Sequence, residues 1–184
     1  MRETPQKLTG THGESRSKNP ADTGTIRREG PECTGNPQRL YVRPVPMKLD
    51  TQWVTGFVDG EGCFYVGINP HSEMTTGYQV LPEFTVVQHK RDVQILHALK
   101  AHFGCGVVRT NHGDRMAYRV RGLEHLRECI VPFFVQHPLK TKKNVDFHKF
   151  STILRMMNEG AHLTSEGVEK IRAIAGEMNR GAER

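Results

Sequence analysis

No stretch of the sequence approaches the roughly 18 consecutive apolar residues of a membrane span. The opening Met1-Arg-Glu-Thr-Pro is not followed by the apolar core of a secretory signal. These absences lead us to expect an intracellular protein, in the cytoplasm of a prokaryote or in an organelle, not secreted and with no membrane partner. Cysteine is sparse and scattered, at Cys33, Cys63, Cys105 and Cys129, with no CxxC pair. The ten histidines show neither HExxH nor zinc-finger spacing. The thiols therefore read as small buried or free surface groups, not as a disulfide framework or a zinc site. The 184 residues carry 26 Lys and Arg against 20 Asp and Glu, a net charge of +6. That excess suits an anionic partner without choosing one.

Residues 1–46 lack phenylalanine and tryptophan but hold six prolines and five glycines. Such a segment buries too little apolar surface to offset its ordering entropy, so a disordered or loosely held N-terminal extension is expected. From Met47 the chain becomes patterned, and residues 47–184 are expected to form one domain. Asp50 to Asp59 reads as a short helix with Asp50 as N-cap. Cys63–Ile68 and Tyr78–Gln88 read as strands, with Pro82 marking a bulge or an edge. Arg91–Phe103 has amphipathic helical spacing. Val107–Thr110 and Met116–Arg121 form a hairpin about Asn-His-Gly-Asp. Helices follow over Leu123–Phe134, about Lys140–Asn158 and Ser165–Asn179. The order αββαββα plus extra C-terminal helices makes an α+β fold, with helices on one face of a four-stranded sheet and the other face free.

One segment stands apart: Val54-Thr-Gly-Phe-Val-Asp-Gly-Glu-Gly62. Gly56 and Gly60 lie four residues apart, on one helix face, where a second helix can approach closely. Asp59 and Glu61 sit at the helix C-terminus, where the dipole is already negative and acids attract cations. Free carbonyls beside a carboxylate suit Mg²⁺. This segment resembles the LAGLIDADG motif, and the resemblance runs from about Leu49 to about Met157. It includes Glu83-Phe-Thr-Val-Val-Gln-His-Lys90 and Pro132-Phe-Phe-Val-Gln-His-Pro-Leu-Lys-Thr-Lys-Lys143. Members of that family are homing endonucleases, usually encoded within introns or inteins, and some are maturases.

The resemblance implies an antiparallel four-stranded sheet forming a DNA-binding saddle. It implies site-specific, Mg²⁺-dependent cleavage of double-stranded DNA at a long, roughly palindromic site, with Mn²⁺ as a substitute ion. An RNA-binding maturase that assists splicing without cutting is the alternative, with intron RNA as partner. Glu61 falls on the metal-ligand position, and Gly60 would add its carbonyl. Asp59 would support the motif backbone. Gln88 matches a residue that positions solvent. Lys140 matches the base facing the scissile phosphate, with Lys142 a nearby alternative, and a further basic position falls near Arg91 or Asp92. Only one motif is present, so a homodimer is implied, with Val54, Gly56, Phe57 and Gly60 at its interface. Strand alternation places Tyr65, Asn69, His71, Gln79, Glu83, Thr85, Arg109, Asn111, Arg119 and Arg121 on the DNA face, with Lys142 beside them. Residues 1–46, by count +3 (eight Lys and Arg less five Asp and Glu), would be a nonspecific DNA-binding arm, a solvated extension or read-through of upstream sequence.

Overall fold

The structure, a computed structural model, describes residues 47–179. The expectation of a disordered extension over 1–46 lies outside the described residues. Helix α1 spans Thr51–Glu61, two residues further than its spacing suggested, so Gly60 and Glu61 belong to its last turn. The Asp50 carboxylate caps it, accepting from the amides of Gln52 (2.8 Å) and Trp53 (3.1 Å). Gly62 ends it for want of space: a Cβ there would meet Val58 Cγ1 at 2.6 Å and the Val58 carbonyl at 2.8 Å.

Strands β1 (Gly62–Pro70) and β2 (Tyr78–His89) form the first hairpin, and β3 (Val107–His112) and β4 (Arg115–Val120) the second. Helix α2 (Val93–Phe103) joins them. The sheet is antiparallel throughout, in the order β1-β2-β4-β3. Pro82 causes no bulge, since the register runs evenly from Gly62↔Val86 to Pro70↔Tyr78. Strand β4 pairs with β2 only from Phe84 onward, which leaves Pro82 on the edge portion of β2. The one register shift lies at Thr110/His112, beside the second turn.

The expected single helix over Leu123–Phe134 is broken in type. Helix α3 (Leu123–His125) widens into a π-type segment, Leu126–Ile130, before α4 (Val131–Gln136). Pro132 explains this, because it lacks an N–H and its ring crowds the carbonyl four residues back. Helix α5 spans Lys143–Asn158, starting three residues later than expected, and α6 spans Ser165–Gly176. Among the described residues no helix is long and apolar enough to cross a membrane.

Alternation along the strands divides the sheet. Phe64, Val66, Val80, Phe84, Val86, Tyr118 and Val120 point under the helices and are buried. Phe64 is the centre of this core, with the rings of Phe84, Phe134, Phe147 and Phe150 all 5.2–5.6 Å away. The chain after α6 is fastened to the same strand: Asn179, at φ 56°, donates from Nδ2 to the Phe64 carbonyl (2.8 Å). Its backbone N–H donates to the buried Asp146 carboxylate (3.3 Å). Phe64→Ala is expected to cost about 3–5 kcal/mol, as for other buried Phe truncations, read from urea unfolding. A loss below about 1 kcal/mol would contradict this packing.

Candidate functional site

The end of α1 and the start of α5 hold each other. The Asp59 carboxylate accepts from the Lys140 amide (2.7 Å), the Thr141 amide (3.2 Å) and the Thr141 hydroxyl (2.6 Å). It thus caps the approach to α5 from another helix, a favourable place for an anion. Burial pushes the Asp59 pKa up, but the hydrogen bonds from Thr141 and Lys140, with Lys143 nearby, outweigh it and hold the carboxyl below its ordinary value of 3.8. In return, Lys143 Nζ donates to the carbonyls of Val58 (3.0 Å) and Gly60 (3.2 Å) at the negative end of α1. Burial lowers the Lys143 pKa, and the acids about it, Asp59, Glu61 and Asp146, together with Cys63, oppose that fall. Asp59 is therefore occupied with structure, but it supports the Lys140–Thr141 turn and not the backbone of its own motif, where the resemblance had put its role.

Glu61 is left free by this arrangement. It is exposed, and among the described residues nothing hydrogen-bonds its carboxylate. It lines an open cleft of about 370 Å³ with Val87, Gln88, His89 and Arg115. Glu61 and Gln88 are therefore brought together. Lys140 is not among the lining residues; its backbone is fixed on Asp59, two residues from Glu61, and its side chain is exposed. Lys142 is exposed in the same turn. Arg91 lies in a 3₁₀ turn and donates from Nε to His89 Nδ1 (3.3 Å), and neither Arg91 nor Asp92 lines the cleft. The base there is Arg115. Its inclusion was missed because strand β4 begins at Arg115, one residue before the expected start, so the alternation Arg115, Ala117, Arg119, Arg121 was read short. Lys143 was missed because spacing along a chain does not show how far a lysine reaches across to another helix.

One carboxylate and one carbonyl make a partial oxygen site for a divalent cation, since such ions take six or more oxygens. Among the described residues no group of three His, Cys, Asp or Glu could hold a metal within one protomer. The Gly60 carbonyl already accepts from Lys143, although a carbonyl oxygen has a second lone pair. The donor chemistry fits an ion shared with further oxygens from outside the protomer.

The outer face of α1 is open. Gly56 and Gly60 are exposed, and a Cβ at either would meet nothing within 4 Å. Trp53, 42 % exposed, stacks on half-buried Phe57 at 4.7 Å beside them. Val54 does not belong to this face. It is fully buried in its own protomer, about 200° around the helix from Gly56, so its expected place at an interface is corrected.

The outer sheet face collects the remaining candidates. Tyr65 (54 % exposed) and Asn69 stand on β1, opposite Glu83 and Gln79 of β2. Thr85 shares that face, but its hydroxyl is taken by the Tyr118 carbonyl (3.2 Å). His71 begins the ordered turn after β1, its N–H donating to the Gly77 carbonyl (2.8 Å). Arg109, Arg119 and Arg121 converge on a cleft of about 330 Å³ with His125, which sequence reasoning had not named. Arg119 donates to Asn111, and Glu83 pairs with Arg119 (3.6 Å) and Arg121.

An antiparallel four-stranded sheet thus carries arginines on its open face, beside an exposed small-residue helix with an acid at its end. A family model described as LAGLIDADG endonuclease matches residues 54–154. The crystal structure of a homing endonuclease, I-TnaI, is 62 % identical with a TM-score of 0.71, covering 73 % of this chain and 91 % of that one. I-SmaMI bound to an uncleaved DNA target in the presence of calcium ions is 35 % identical with a TM-score of 0.71, covering 74 % of this chain and 47 % of that one. A probable intron-encoded endonuclease 3 of Neurospora crassa is 30 % identical over 132 residues, 70 % of this chain and 25 % of its own length. The chain spans about a third or less of the fungal relatives it matches. The chain belongs to the LAGLIDADG endonuclease family.

Asp59→Ala removes a cap that serves two amides and a hydroxyl and is expected to cost about 1–2 kcal/mol in chemical denaturation. Because the folded pKa is depressed, this stabilisation is complete above the ordinary value of 3.8 and fades as pH falls towards the lower folded value. An unchanged denaturation midpoint in the variant would remove the clamp from the account.

Proposed function

We propose that the protein is a site-specific homing endonuclease that cuts double-stranded DNA as a homodimer with Mg²⁺, at a long and roughly palindromic target. The observation that carries this reading is the exposed Glu61 carboxylate, with no hydrogen bond among the described residues, held at the foot of an open helix face beside Gln88 and Arg115. The names and DNA-bound states of the relatives support an endonuclease. No observation favours the RNA-binding maturase over it.

Two copies are needed because one protomer presents a single Glu61 while a duplex has two strands. Packing α1 against the partner's α1 along Gly56 and Gly60 would bring the two Glu61 carboxylates near the two-fold axis. The match to just under half of the I-SmaMI chain supports a second unit of this size. The outer sheet face would then lie along the DNA on both sides, and a symmetric dimer would prefer a symmetric site.

Within each half-site the chain's residues divide the work. Glu61 and the Gly60 carbonyl would hold the divalent ion, which supplies charge against the phosphate and a more acidic water. Gln88 would orient water through its amide. Arg115, with Lys140 or Lys142 from the other side, would face the phosphate as negative charge develops on its oxygens. Lys143 would keep the last turn of α1 in place.

The decisive test joins the sequences flanking the gene's intron into an uninterrupted duplex on a plasmid. The wild type with Mg²⁺ is expected to give one linear product, EDTA none, and Glu61→Gln binding with cleavage reduced by at least 10³-fold, on the order expected for a residue acting at the reacting centre. Substantial cutting by Glu61→Gln would remove Glu61 from the metal site. Binding without cutting by the wild type would favour the maturase.

A further inference from the structure

The open sheet face carries a carboxylate where the proposed partner carries phosphates. Glu83 stands in the middle of β2, and its side chain is only 13 % exposed. One oxygen faces Arg119 Nε (3.6 Å), and the other accepts from Arg121 Nε. Arg119 is braced on its far side as well, donating from Nη2 to Asn111 on β3. Asn111 on β3, Arg119 on β4, Glu83 on β2 and Arg121 just after β4 thus form one line, Asn111–Arg119–Glu83–Arg121.

The consequence lies in which nitrogens are used. Arg121 gives Nε to Glu83, and among the described residues its two terminal nitrogens carry no hydrogen bond. Those nitrogens form the fork that matches the O6 and N7 acceptors of guanine in the major groove. An unbraced arginine on this face loses considerable rotamer freedom on binding, and it can swing to the nearest phosphate instead. Glu83 opposes both. It fixes the stem, and its charge offsets one of the two cations that would otherwise add sequence-independent phosphate attraction. With one oxygen taken by Arg121, the other at ion-pair distance from Arg119 without a hydrogen bond, and the side chain largely covered, Glu83 itself is poorly placed to accept from a base.

We propose that Glu83 is a positioning residue for specificity: it holds Arg121, with Arg119 as the brace, so that the free fork of Arg121 reads a guanine in each half-site. This rests on the DNA-binding reading above. It differs from treating Glu83, Arg119 and Arg121 as three separate contacts, because the base preference should belong to Arg121 and depend on Glu83.

The test selects bound duplexes from a randomised pool, using the full-length chain with Ca²⁺ as the probe ion. Wild type, Arg121→Gln and Glu83→Gln are compared. The wild type should enrich a guanine at one pair in each half-site, and Arg121→Gln should lose that preference. Glu83→Gln should lose at least about fivefold of the preference at the same pair while keeping the rest of the site. Its affinity for unrelated duplex should rise, and the slope of log affinity against log salt should steepen by about one per protomer. Should Glu83→Gln fail to fold, Glu83→Asp, too short to reach both arginines, should show the same loss at that pair. An unchanged preference in the Glu83 variants would overturn the proposal. So would a change confined to a different pair from that of Arg121→Gln, which would make Glu83 a reader of its own base. A wild type that enriches no sequence would overturn the DNA-binding reading and this proposal with it.

Discussion

The structure depends on a reciprocal contact between two helix ends. An α-helix finishes with unsatisfied carbonyls and begins with unsatisfied amides. Here α1 sends Asp59 to the amides before α5, and α5 sends Lys143 to the carbonyls of Val58 and Gly60. Each charge sits at the helix pole of opposite sign, so each interaction agrees with the dipole it meets. The functional result is a separation between two acids two residues apart. Asp59 is consumed in holding the turn, while Glu61 is exposed at the cleft, with no hydrogen bond to its carboxylate among the described residues.

The sheet converts one sequence period into two surfaces. Residues of one parity on β1, β2 and β4 build the phenylalanine core, and those of the other build the open face. Because Phe64 lies three residues after Glu61, at the start of β1, the core and the acid share one short stretch of chain. A disturbance of the core at Phe64 would therefore be felt at the cleft. On the open face, charge is arranged, not merely accumulated: an acid stands among arginines, so the face is less cationic than a count of its arginines suggests.

Much of this was legible in the sequence because the signals are local. Asp50 before an apolar helix, glycines at 56 and 60, and the Gly113 turn all act within a few residues. The alternation along β2 places Phe84 and Val86 inward and Glu83 outward with no knowledge of partners. Val54 was also readable and was misplaced: two residues from Gly56 means about 200° around a helix, which sends it inward. The π-type segment before Pro132 was readable only in part. A proline marks a disturbance, but whether the helix stops, kinks or widens depends on what packs against it. Arg115 sat one residue outside the strand as read, and its place beside Gln88 needs the register of β4 on β2. Lys143 was beyond local reading, since it requires the reach of a side chain over 80 residues of intervening sequence. The network about Glu83 likewise exists only once three strands are paired.

The central proposal is that each protomer contributes one working acid, Glu61, and that two protomers share the cutting of a duplex. The most direct measurement co-expresses wild-type and Glu61→Gln chains with different tags, purifies the mixed dimer and incubates it with supercoiled target plasmid and Mg²⁺. The account predicts nicked circles, one strand cut at the target and little linear product. Linear product at the wild-type rate from the mixed dimer would contradict it.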